Sequence, residues 1–150
     1  GIPLDAIRVD YACGAVEKEV LAVKDADLVI VEGQGSLAHP GSTSTLPLIR
    51  GACPTHLILC HRAGMTTLDT VRANSIRVPP LLDLIHLYEK LASACGSLPA
   101  AKTVAISVNT ARLDETAAER ALEEIRAETG MLVTDPIRYG AKALLDAVMA

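Results

Sequence analysis

The sequence predicts an α/β protein: a parallel sheet with helices on both faces, three layers in all. Three observations point there. Short β-branched apolar runs alternate regularly with longer helical patterns, the grammar of βαβ units. Several runs are apolar throughout, as parallel strands covered on both faces should be. Each run also ends in polar or charged residues, which an open parallel sheet would gather at one rim, beyond the carboxyl ends of its strands.

Strands are expected near Ala6 to Tyr11, Leu28 to Glu32, His56 to Cys60, Thr103 to Val108 and Leu132 to Thr134. One helix should start at Pro79-Pro80, since proline suits a first turn. It carries Leu81, Leu84, Ile85, Tyr88 and Leu91 on one stripe and stops at Gly96. Another should run from an Asp114 cap through Ala118, Ala121, Leu122 and Ile125 to Gly130, with Glu119, Arg120, Glu123, Glu124 and Glu128 mainly on its wet side.

With 150 residues, 50% of them hydrophobic, the chain has one domain's worth of sequence and enough apolar content for a core. That core must be aliphatic, because Phe and Trp are absent and only three Tyr occur. Base stacking on aromatics is therefore not a main binding mode. The net charge is −4 and the basic residues are scattered, which argues against a nucleic-acid surface. No apolar run approaches a membrane span, and the first residues lack a signal-peptide pattern, so a cytoplasmic protein is expected. Cys13, Cys53, Cys60 and Cys95 form no CxxC pair and are expected to be reduced, mostly buried thiols. The chain begins at Gly1 without an initiator Met, which suggests part of a longer protein.

The rim residues define a candidate site. Asp10 follows the first run, and Glu32 follows the second with the Gly33-Gln34-Gly35-Ser36 loop and His39. His61-Arg62 follow the third, Asn109-Thr110 the fourth, and Thr134-Asp135-Pro136 with Arg138 the fifth. An acid at the end of a buried strand, followed by glycines, suits a phosphate-bound Mg²⁺, so Glu32 and Asp10 are the expected metal ligands. Backbone amides from Gly33 to Ser36 could cradle anionic oxygens. The phosphate loop itself, GxxxxGK followed by Ser or Thr, is missing: "GSTST" at 41 to 45 has no Lys.

The segments "VDYACGAVE", "VIVEGQGSLAHPGSTSTLPLIRGACPTHLILCHRAG", "AISVNTARLD" and "TDPIRYG" together resemble the C-terminal domain of a bacterial and archaeal family long catalogued as a domain of unknown function. The resemblance covers essentially the whole chain. It implies a three-layer fold of the P-loop NTPase type, similar to that of dethiobiotin synthetase, with an N-terminal Rossmann-like domain and a phosphate loop lying ahead of this stretch, which resembles the part after that loop. It also implies D-glutamate N-acetyltransferase activity, with acetyl-CoA as acyl donor, beside an N-acetyl-D-glutamate racemase. Carried onto this sequence, the pattern places Asp10 and Glu32 on the metal or phosphate side, the Gln34 to Pro40 loop over the reacting groups, and Asn109 near a purine.

Acetyl transfer to an amine needs a general base, and His61 and His39 are the candidates, with Glu32 beside them as the third catalytic residue. The loop amides would serve an oxyanion. Gly33, Gln34, Gly35, Ser36, Asn109, Thr110, Asp135 and Pro136 are expected at the cofactor. Arg62, Arg72 and Arg138 offer guanidinium forks for a dicarboxylate, although Arg138 could equally pair with Asp135 and brace its loop. Cys60 beside His61 makes no dyad, because neighbours on a strand face opposite ways.

Three alternatives stay open. One is an ATP- and Mg-dependent ligase or kinase of the dethiobiotin synthetase type. A second is a non-catalytic oligomerisation module. The last is a zinc site built from His39, His61 and Glu32. The expected partners are a small amino acid substrate and further copies of the chain.

Overall fold

A computed structural model describes residues 6–68 and 76–150. The chain divides into two compact units, the first made of Gly1–Thr55 with Lys90–Ala101 and the second of His56–Glu89 with Lys102–Ala150.

In the first unit, helix α1 spans Val9–Ala22 and helix α2 spans Thr45–Ala52, and the two pack together. The expected strand at Ala6 to Tyr11 is overturned, because Val9 already begins α1. "AIRVDY" does alternate, but the fourteen residues from Val9 offer a longer cooperative helix that buries Ala12 and Val16, four positions apart. Asp10 accordingly sits in the first turn of a helix, where its charge suits the dipole, and not at a strand end. The α1 and α2 backbones approach so closely at Gly51 that a Cβ there would lie 2.3 Å from the carbonyl oxygen of Cys13.

The expected strand at Leu28 to Glu32 is overturned as well. The segment belongs to no sheet among the described residues, and Ile30 is 84% exposed. A strand requires a hydrogen-bonding neighbour, and apolar composition alone does not provide one.

The second unit holds a parallel sheet of three strands in the order β1-β2-β3. These are β1 (His56–Arg62), β2 (Lys102–Asn109) and β3 (Val133–Thr134), all three where the sequence places them. His61 lies opposite Val108 and Arg62 opposite Asn109, so β1 and β2 end level; Ser107 lies opposite Thr134. Helix α3 spans Leu81–Ala92, and from Lys90 onward it groups with the first unit. The expected stripe is there, with Leu81, Leu84 and Ile85 buried.

Helix α4 spans Glu115–Thr129. Its Asp114 cap accepts from the Ala117 N–H, Ala118, Leu122 and Ile125 are buried, and Gly130 closes it. Short helices α5 (Pro136–Tyr139) and α6 (Lys142–Met149) complete the chain. α4 packs against β3, while α5 and α6 pack against β2, which buries Ala105, Ile106 and Val108. β1 is less covered than its composition suggests: its residues alternate exposed and half-buried, so one face is more covered than the other, and among the described residues it pairs with β2 only. The four cysteines are free thiols and exposed, not buried as expected.

Candidate functional site

The carboxyl ends of β1, β2 and β3 form one rim in the second unit, and the strongest polar construction in the chain stands there. Asp135 follows β3 directly and is 2% exposed. Its Oδ2 accepts from the backbone N–H of Thr110 at 3.0 Å and from the Thr110 hydroxyl at 2.5 Å. Its Oδ1 accepts from the N–H groups of Ile137 at 2.9 Å and Arg138 at 3.3 Å, which caps α5, with Pro136 in the helix's first turn. Burial pushes this carboxyl up, but the bonds from Thr110, Ile137 and Arg138 outweigh it and hold the group below its ordinary range.

Arg138 closes the network. Its Nε donates to the Thr110 hydroxyl oxygen at 2.7 Å, and one Nη donates to the carbonyls of Thr110 at 3.2 Å and Leu113 at 2.5 Å. The guanidinium stands 4.0 Å from Asp135. These bonds make Arg138 a brace for the loops after β2 and β3. The Asn109 side-chain oxygen accepts from the Ala111 N–H at 3.0 Å, an Asx turn that fixes the side chain at the end of β2.

His61 is half-buried at the end of β1. Burial lowers its pKa from the ordinary histidine value, the charge of Glu128 works against that shift, and Arg62 adds to it. The ring is therefore neutral at pH 7 and able to take up a proton. Arg62 is the last residue of β1, level with Asn109. Partial desolvation of the Cys60 sulfur raises its pKa, which favours the thiol over the thiolate.

Sequence reasoning passed over Glu128, assigning it to the solvated face of α4. Its Oε1 accepts from the Leu81 N–H at 3.2 Å, capping an otherwise orphan donor at the start of α3, and its charge acts on His61. The signal available was its place in the last turn of α4, one turn past the buried stripe.

The loop candidates belong to the first unit, where the loop is wound on itself. The Ser36 N–H donates to the Ser42 hydroxyl oxygen at 3.1 Å, the Ala38 N–H to the Ser36 hydroxyl oxygen at 3.2 Å, and the Thr45 hydroxyl to the Gln34 carbonyl at 2.8 Å. Gly35, at φ +75°, passes so close to Ser42 that a Cβ would meet its hydroxyl at 2.5 Å. The His39 Nδ1 accepts from the Gly41 N–H at 3.0 Å. That bond ties the ring to the turn of its own loop.

Glu32 and Gly33 are exposed. Among the described residues, no three His, Cys, Asp or Glu side chains converge as a metal shell. Arg72 lies outside the described residues. No described helix is long and apolar enough to cross a membrane.

Comparison with known proteins adds a family context to this geometry. The family described as "Domain of unknown function (DUF1611_C) P-loop domain" matches residues 1–145. A D-glutamate N-acetyltransferase of Tritonibacter scottomollicae is 36% identical over 151 residues, covering 100% of this chain and 44% of that protein. Another of the same name from a Pseudoalteromonas species is 29% identical over 146 residues, covering 97% of this chain and 43% of its own length. The crystal structure of a DUF1611 family protein from Anabaena variabilis ATCC 29413 superposes with a TM-score of 0.95 at 52% identity, covering 99% of this chain and 43% of that one. The chain thus spans less than half the length of the relatives it matches.

Proposed function

This chain belongs to the DUF1611 P-loop domain family, and on that premise we propose that it forms part of an N-acetyltransferase that passes an acetyl group from acetyl-CoA to the amino group of D-glutamate or a similar amino acid. The observation that carries the reading is that two curated relatives matching 97% or more of this chain bear that enzyme's name.

The rim of the second unit supplies chemistry that suits it. In this reading the neutral imidazole of His61 takes the proton from the substrate ammonium, leaving a nitrogen lone pair to attack. Bound acetyl-CoA supplies the thioester carbonyl carbon; the new N–C bond forms as the C–S bond breaks, and the second proton of the attacking nitrogen passes to the departing CoA thiolate, which leaves as the thiol. In the same reading Arg62, whose charge is felt at His61, attracts a substrate carboxylate. The Thr110-Asp135-Arg138 network holds the neighbouring loops rigid, so that this geometry survives the binding of two substrates.

The reading is tested on the chain extended to the relatives' length, by following CoA release from acetyl-CoA with D-glutamate, L-glutamate and D-aspartate as acceptors. D-Glutamate is expected to give the highest kcat/KM. His61→Gln is expected to lower kcat by about 10²- to 10⁴-fold, the range a general base supplies. The acidic limb of the wild-type pH profile should fall below the ordinary histidine range, because burial depresses His61. A profile unchanged in His61→Gln would remove the base from the mechanism. No release with any amino acid would remove the transferase.

A further inference from the structure

The turn after β2, residues 109–114, uses its polar groups to hold its own shape. The Asn109 side-chain oxygen takes the Ala111 N–H, the Leu113 N–H donates to the Thr110 carbonyl at 2.9 Å, and the Asp114 carboxylate caps α4. Thr110 is tied to Asp135, and Arg138 reaches the carbonyls of Thr110 and Leu113. Arg112 is the exception. It is exposed, and its guanidinium makes no hydrogen bond or ion pair among the described residues.

A second residue on the same construction faces water against its chemistry. Ile137 is 91% exposed, the highest value for a large hydrophobic among the described residues, although its N–H is fixed on Asp135. One carboxylate thus holds both the turn that carries Arg112 and the turn that carries Ile137. A guanidinium without a protein partner, on backbone fixed this firmly, is preorganised for an anion from outside, because little backbone freedom remains to be lost on binding.

The order of the rim indicates which anion. In the acetyl-transfer reading the thioester lies at His61, the end of β1, and neighbouring strands stand about 4.8 Å apart. CoA is far longer than that spacing, so a nucleotide end that stays on the protein runs along the rim past β2 and β3. Its ribose carries a 3′-phosphate, nearly a dianion at pH 7, whose oxygens match a guanidinium fork.

We infer that Arg112 binds the 3′-phosphate of the acyl donor's nucleotide and so selects CoA over carriers that lack this phosphate, while Ile137 gives the same nucleotide an apolar contact. This assignment rests on the acetyl-transfer reading and adds the residue that recognises the donor. ATP has no 3′-phosphate and gains nothing from the contact.

The test titrates CoA and 3′-dephospho-CoA by calorimetry into the chain extended to the relatives' length, at one fixed ionic strength because salt screens an exposed pair. The wild type is expected to bind CoA about 10-fold more tightly, the size of one hydrogen bond between charged groups. In Arg112→Ala that preference should shrink to within about twofold, with Arg112→Lys in between, since an ammonium keeps the charge and loses the fork. Ile137→Ser should weaken both compounds alike. Equal binding of the two by the wild type would overturn the inference, as would a preference that survives in Arg112→Ala. A raised KM for D-glutamate in that variant, with the preference intact, would give the guanidinium to the acceptor's carboxylate instead. Failure of the transferase reading looks different. A protein that binds neither compound has no CoA donor, and the 3′-phosphate site falls with it, whereas one that shows the Arg112-dependent preference but acetylates no amino acid keeps the site and loses the acceptor.

Discussion

Two runs rich in β-branched apolar residues, Leu28–Val31 in the first unit and Val104–Val108 in the second, meet opposite fates. Ile106 and Val108 are fully buried, while Ile30 stands 84% exposed. The difference lies in their neighbours. β2 has a strand on each side and α5 and α6 packed against it, whereas 28–31 has no strand beside it among the described residues. The units differ in the same way. Among the described residues the first unit buries Ala12, Val16, Ala92 and Ala101, mostly small, while the second buries Leu84, Ile85, Ile106, Leu122, Val133 and others. Burial is thus a property of the pairing, and the side chain only makes it profitable.

The largest expected effect strikes the polar side of the second unit. Asp135→Ala leaves the Thr110 N–H and hydroxyl and the Ile137 and Arg138 N–H groups without their acceptor and should cost about 4 kcal/mol, at about 1–3 kcal/mol for each buried donor left unsatisfied, read as a lowered urea midpoint. Ile106→Ala should follow at about 3 kcal/mol, the sum of lost transfer energy and a cavity. A cost below 1 kcal/mol would show that β2 is not the closed centre described above.

In the first unit the most sensitive place is backbone contact. Gly51→Ala forces a Cβ against the Cys13 carbonyl and should cost about 2 kcal/mol by overpacking, measured by thermal unfolding. The smallest effect sharpens the contrast with Ile106: Ile30→Ala should change the stability of this chain by no more than about 0.5 kcal/mol, as exposed positions do. A large loss there would mean that 28–31 is already packed.

Acid should also separate the units. The folded-state pKa of Asp135 is depressed, so between it and the unfolded value the unfolded chain binds more protons. Its stabilisation is complete above the ordinary Asp range and is lost as pH falls through the folded pKa. Stability measured on lowering the pH below about 4, the unperturbed Asp value, should therefore fall more steeply in the wild type than in Asp135→Asn. Parallel profiles would show that the carboxylate charge contributes nothing.

The sequence by itself determined what depends on short-range periodicity and end chemistry. The α4 cap at Asp114 and stop at Gly130, the Leu81-Leu84-Ile85 stripe of α3 and the three strands of the sheet were all legible, because each is encoded within a few residues of itself. The gathering of Thr110, Asp135 and Arg138 at one rim was legible as position, since strand ends share an edge. That the three are spent largely on one another was not, because the bonds join residues 25 to 28 apart. The direction of the His39 ring and the capping role of Glu128 likewise depend on which backbone amide lies within reach. Only the tertiary structure decided that "AIRVDY" leads into a helix and that 28–32 pairs with no strand among the described residues. A helix closes its own hydrogen bonds, whereas a strand must find them elsewhere in the chain.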